Sequence, residues 1–229
     1  MPTPSPSPIE SRFLDMIEAL KQCDVIRVDG ERKGAISDIA EDSSAGFSQL
    51  MEVCGINLDP SLTEKHVRYL DLGIHWYATD ASTSGGGEFF LHELIDALAS
   101  APPDTSSAQN DAESELFQQL RVIDYHPEGG AISFAAVRLL SNTIAPRVWA
   151  HYFPFGTFEL DLDYSAYLDA LLLTKGFHGW HFLYADIRLA DPKYAPLVGL
   201  IRTGLDLLKV ALPDPRHEEL EVRLAERMG

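Results

Sequence analysis

The apolar positions of this chain change period twice, from helical to alternating and back to helical, and that order sets the expected architecture. Ser7-Pro8-Ile9-Glu10 has capping-box spacing with Pro at the first helical position. Ile9, Phe13, Met16, Ile17 and Leu20 then share one stripe, which predicts a helix reaching Gln22. Asp24 to Val28 reads as a short strand closed by the turn pair Asp29-Gly30, and Phe47 to Val53 as the start or end of another helix. Pro60-Ser61-Leu62-Thr63-Glu64 repeats the capping-box spacing and predicts a helix over Leu62 to Leu70.

From Gly73 the period shortens. Ile74, Trp76 and Ala78 alternate with other residues up to a loop at Asp80 to Gly87, and Glu88 to Leu94 reads as a strand running into a short helix through Leu98. Ser100 to Ser114 is nearly devoid of bulky apolar residues and reads as a mobile surface loop. Three β-like runs follow, Leu120 to His126, Ala131 to Val137 and Arg147 to Phe153. Pro127-Glu128-Gly129-Gly130 is placed as a hairpin turn between the first two. Asp163 caps a helix striped by Tyr164, Tyr167, Leu168, Leu171 and Leu172 that ends before Gly176. Asp191-Pro192 and Asp214-Pro215 open two more helices, the first to about Leu212 and the second to the C-terminus. Helices, then clustered strands, then helices predict an α+β fold with an antiparallel-rich sheet flanked by helices and extra helices at the C-terminal end. The expected organisation is a disordered Pro/Ser lead over 1–8, an α+β domain over 9–190 and a helical extension over 191–229 packed on it.

Composition narrows the partners. The 229 residues are 45% hydrophobic, enough for one sizeable core. The 18 Lys and Arg stand against 35 Asp and Glu, a formal net charge of -17. Such a field repels phosphate backbones and anionic lipids and attracts basic partners, which argues against nucleic-acid or membrane binding. Cys23 and Cys54 have no C-x-x-C spacing and read as reduced core residues of a cytoplasmic protein. The first eight residues lack the basic start and apolar run of a secretory signal.

No group of residues announces a reaction. Gly85 to Gly87 is followed by Glu88, Phe89 and Phe90 rather than by a Lys and a helix start, so it reads as a turn entering a strand. His178-Gly179-Trp180-His181 places two imidazoles three apart, with His151 or Asp186 as a distant third metal ligand. A metal-dependent hydrolase using His178, His181 and Asp161 is the alternative of another class. Asp161 and Asp163 flank Leu162 and face one side of an extended segment, where they could work as an acid/base pair, although Asp163 is already explained as a cap. Asp124-Tyr125-His126 places an acid and an imidazole on one strand face, without a G-x-S-x-G elbow or activated Cys. The expectation is a protein with no catalytic site, metal or cofactor.

Several segments in order carry a family resemblance. They are Gly87-Glu88-Phe89-Phe90-Leu91-His92-Glu93-Leu94, Leu120-Arg121-Val122-Ile123-Asp124-Tyr125-His126, Tyr152 to Asp163, Tyr167-Leu168-Asp169-Ala170-Leu171, and Lys175-Gly176-Phe177-His178-Gly179-Trp180-His181-Phe182-Leu183-Tyr184. Over residues 88–186 the chain resembles the SUKH superfamily, which includes bacterial immunity proteins and fungal cell-wall regulators. The resemblance implies a non-enzymatic α+β protein-binding module, either one that neutralises a toxin by binding it or a regulatory scaffold with a housekeeping partner. Combined with the charge, it leads to an expected basic partner such as a nuclease toxin domain. Glu88, Asp124, Glu128, Asp161 and Asp163, in or near the matched loops, are the expected docking acids.

Overall fold

The computed structural model describes residues 5–37, 43–80, 85–127, 133–140 and 146–229. Residues 128–130 of the expected turn, 81–84 of the expected loop, the first half of the Pro/Ser lead and the Cys54 side chain therefore fall outside the described residues. The elements in chain order are α1 (Pro8–Lys21), β1 (Ile26–Lys33), α2 (Ser43–Cys54), β2 (Asp71–Ala78), β3 (Gly86–His92), α3 (Leu94–Ala99) and α4 (Asp111–Gln118). They continue with β4 (Leu120–His126), β5 (Ser133–Arg138), β6 (Arg147–Tyr152), β7 (Gly156–Asp163), α5 (Tyr164–Thr174), α6 (Ala195–Ala211) and α7 (His217–Met228). This is an α+β fold. The strands form one seven-stranded sheet in chain order, each antiparallel to the next. Among the described residues no helix is long and apolar enough to cross a membrane.

The first helix starts as its sequence dictates. The Glu10 backbone N–H donates to Ser7 Oγ at 3.3 Å, and Glu10 Oε2 accepts from the Ser7 N–H at 2.6 Å. Glu10 is nevertheless fully buried, because the same carboxylate accepts from the Arg68 backbone N–H at 2.7 Å and from its guanidinium at 2.7 and 3.0 Å. The cap thus ties the lead to the chain entering β2. Ile9, Phe13, Met16, Ile17 and Leu20 pack into the main core with Trp76, Phe89, Tyr167, Leu171 and Trp180.

The structure departs from the expected elements in four places. Asp29-Gly30 is not a turn; β1 runs through it with a bulge in its pairing to β2. Residues 62–70 are not an α-helix. Asp59, not a residue within the capping-box spacing, caps a 3₁₀ turn over Pro60–Lys65 by accepting from the Ser61 N–H at 2.9 Å. His66 is then already extended, carrying His66 and Val67 into the interior. The stretch over 100–114, expected as a mobile loop, contains a 3₁₀ turn at Thr105–Ser107 and the start of α4. Asn110 caps α4 by accepting from the Glu113 N–H at 3.0 Å, and Phe117 anchors it in a second small core with Leu120, Phe134 and Ala136. Finally, Gly156–Asp163 is a full strand, β7.

The sheet is not evenly zipped. β3 pairs with β2 over seven positions but with β4 only at Leu91 and Asp124. Beyond that point β3 leaves β4 and pairs with the turn after α5. The Glu88 N–H donates to Gly176 O and the His178 N–H to Gly86 O, both at 2.9 Å. The helix can deliver this turn because Lys175 and Gly176 both adopt left-handed conformations, φ 53° and 69°. A fork results between β3 and β4, closed by residues 176–181.

Candidate functional site

Polar side chains fill the fork. Asp124, fully buried, accepts from the Phe90 backbone N–H at 2.7 Å, so a carboxylate oxygen takes the place of the missing ladder partner where β3 and β4 separate. Its other oxygen accepts from the Tyr167 hydroxyl at 2.7 Å. Having donated its only proton, that hydroxyl must accept from His181 Nε2 at 3.1 Å, which places a proton on Nε2. His126, two residues from Asp124 on β4, holds Nε2 3.4 Å from Asp124 and Nδ1 3.2 Å from Ser133 Oγ on the facing strand. Trp180 stacks on His181 with ring centroids 4.1 Å apart, and the His126 and His181 rings lie 5.3 Å apart.

The three imidazoles are set differently by their surroundings. Burial opposes charge on His126, but the Asp124 and Glu88 carboxylates outweigh it and raise its pKa. Burial pushes His181 well below the usual histidine value, reinforced by His126, and lowers His178 to about 4, reinforced by His126 and His75. Burial and the Asp124 charge together raise the Tyr167 hydroxyl well above the ordinary tyrosine range, which keeps it a donor. Glu88, His126, Ser133, His178, Trp180 and His181 line one cavity of about 10 Å³.

Ser133, His126 and Asp124 follow one another in the order nucleophile, base, carboxylate, but Ser133 is only 4% exposed. The cavity beside it has the volume of one water molecule, and the buried Glu88 carboxylate lines it, which disfavours a developing oxyanion there. The groups are committed to one another rather than presented to an acyl substrate. Among the described residues no three His, Cys, Asp or Glu side chains are placed to hold a metal ion. The His178 and His181 pair does share the cavity, but His181 Nε2 is engaged by Tyr167. The expected third ligands lie elsewhere. Asp161 pairs with Arg223 at 3.0 Å, Asp186 with Arg227 at 3.5 Å, and His151 Nδ1 sits 2.9 Å from Thr157 Oγ1.

The five acids expected on a docking face are scattered. Glu88 and Asp124 are 1% and 0% exposed, so their carboxylates do not face a partner. This corrects their assignment: the fork draws both inward. Glu128 lies outside the described residues. Asp163 is half-buried and spends a carboxylate oxygen on the Ala166 N–H at 2.8 Å as the cap of α5. Asp161 is exposed, beside an open hollow of about 520 Å³ that it shares with Arg147, Glu159 and Asp186. Sequence reasoning placed Asp124 and His126 on one face but missed their links to Tyr167, His181 and Ser133. Tyr167 fitted the apolar stripe of α5, and nothing local marks a residue that meets a partner 43 positions away. Comparison with protein-family models, with curated proteins and with solved structures finds no match for this chain.

Proposed function

We propose that this chain is a non-enzymatic protein-binding module whose partner presents a basic face, of the kind by which an immunity protein neutralises a toxin domain. The net charge of -17 carries the reading. A nuclease domain must be basic where it grips phosphate, and an acidic inhibitor offers it the charge of its substrate. Exposed carboxylates at Asp104, Asp111 and Glu115 around α4 and at Glu159 on β7 supply such charge on the described surface, whereas Asp161 and Asp186 are offset by Arg223 and Arg227. The inward commitment of the fork residues supports the same reading, because it leaves the outer surface as the place of action.

The test is to isolate the partner from the native cell, identify it by mass spectrometry, and measure association of the two purified proteins at increasing salt. A basic partner whose affinity falls roughly tenfold or more between about 0.05 and about 0.3 M salt, mainly through the association rate, is expected. An acidic partner, or a complex indifferent to salt, would overturn the proposal.

A further inference from the structure

Two polar atoms in the fork make no hydrogen bond to any of the described residues. The Trp180 indole N–H, in a residue 1% exposed, finds no acceptor, and His126 Nε2 makes no hydrogen bond, its approach to Asp124 at 3.4 Å being poorly aligned. Both residues line the cavity of about 10 Å³, together with Glu88, Ser133, His178 and His181. Buried polar atoms are almost always paired, and a polar cavity of this size is filled when two or more groups on its wall can hold a guest.

The chemistry of the wall selects that guest. The indole N–H can only donate, so the guest must carry a lone pair, which rules out a metal cation or an ammonium ion as its partner. The buried carboxylates of Glu88 and Asp124 repel an anion that could otherwise accept that bond. The space of about 10 Å³ matches one water molecule. We infer that the fork is a built binding site for a single water molecule, which accepts from Trp180 Nε1 and donates to the carboxylate and imidazole side. Water meets all three requirements at once, being neutral, small, and both donor and acceptor. It completes the hydrogen bonding where β3 and β4 part, so the fork closes through Asp124 on one side and through the water on the other.

The experiment uses the full chain. In a high-resolution crystal structure, one density peak is expected in the cavity within hydrogen-bond distance of Trp180 Nε1. In solution, the Trp180 indole proton should show cross-relaxation with a water molecule of long residence time, with the sign of a rigid pair. Trp180→Phe removes the donor and should abolish or weaken the peak. If that variant fails to fold, the two measurements on the unaltered chain still decide. A cavity without density and an indole proton without slow-water contact would overturn the inference, and so would a peak with the anomalous signal of an ion or the shape of a larger molecule.

Discussion

A carboxylate with no access to solvent is tolerated only where enough donors converge on it, and this chain does so in two different ways. Glu10 is held by the Arg68 guanidinium and by backbone N–H groups of Ser7 and Arg68. Burial works against its charge, yet these donors bring its pKa below the usual value. Asp124 has no arginine; it relies on one backbone N–H and one tyrosine hydroxyl, with His126 Nε2 nearby at 3.4 Å. The surrounding histidines respond oppositely, and their signs give a pH prediction. His178 titrates near 4 when folded but near 6.5 when unfolded. Its neutral form therefore contributes stability that is fully present above about pH 6.5 and is lost as pH falls towards about 4, because the unfolded chain takes up a proton the folded chain refuses. His181 acts in the same direction. His126, raised by its carboxylates, acts the other way, contributing below its unfolded value and losing that contribution as pH rises through its folded value. Urea midpoints measured across this acid range should fall less steeply for His178→Gln than for the unaltered chain; equal slopes would remove His178 from the account. At this scale the sequence shows only the local half of each relation. The i, i+2 spacing of Asp124 and His126 is visible in it, whereas the burial of Glu88 depends on a turn some 90 residues away and leaves no local trace.

Backbone proximity between elements explains a glycine in the run that enters β3. A Cβ on Gly87 would lie 2.6 Å from both Gly176 O and the Trp76 ring, so the glycine lets the turn after α5 pair with β3 and open the fork. Gly87→Ala should destabilise by about 1–3 kcal/mol, the usual range for forcing a methyl group into a packed core. Gly199→Ala is the control. Gly199 is exposed on α6 and a Cβ there meets nothing within 4 Å, so the change should stabilise by up to about 1 kcal/mol through helix propensity. Chemical denaturation of the two variants checks both signs, and an unaffected Gly87→Ala would mean that the close approach is not required. Elements with a strong period, such as α1, α5 and α6, are legible in the chain itself, the first two with their caps and α6 behind the Asp191-capped 3₁₀ turn Pro192–Tyr194. β7 is written in the chain too, since Phe158, Leu160 and Leu162 alternate with Glu159, Asp161 and Asp163, but the same aspartates also fit an acid/base pair and a helix cap, which masks the strand signal. α4 was hidden for a different reason. Its burial rests mainly on Phe117, and one anchor in eight residues makes no stripe. The 3₁₀ turn at Pro60–Lys65 shows tertiary demand overriding a local signal, because the buried pairing of His66 with Glu93 pulls the chain extended just where a helix would continue.

Across the whole molecule, residues 191–229 decide whether the chain behaves as a domain with an appendage or as one cooperative unit. Leu197, Ile201, Leu205 and Leu208 of α6 and Leu220 and Leu224 of α7 belong to the same continuous core as α1, α5 and the sheet. The contact is close: a Cβ on Gly204 would sit 2.6 Å from the Phe177 ring, which belongs to the turn that closes the fork. Arg223 and Arg227 of α7 reach Asp161 at 3.0 and 3.8 Å, and the Leu189 N–H donates to Arg227 O at 2.7 Å, so the last helix also holds the edge of β7. Each fully buried leucine or isoleucine contributes about 1.5–3 kcal/mol, and six of them approach or exceed the whole stability of an ordinary domain, about 5–15 kcal/mol. A chain ending at Ala190 would expose the turn at Phe177 and with it the wall of the polar fork. It should therefore lose cooperative unfolding and near-ultraviolet circular dichroism and bind a hydrophobic dye, even though every strand of the sheet remains in the sequence. Cooperative unfolding of that shortened chain, with a midpoint close to the full protein's, would show that residues 191–229 are an independent addition. The fork's geometry supports the opposite outcome: the turn that closes it is clamped between β3 on one side and α6 on the other, and removing either support opens the fork in which Asp124 and Glu88 are buried.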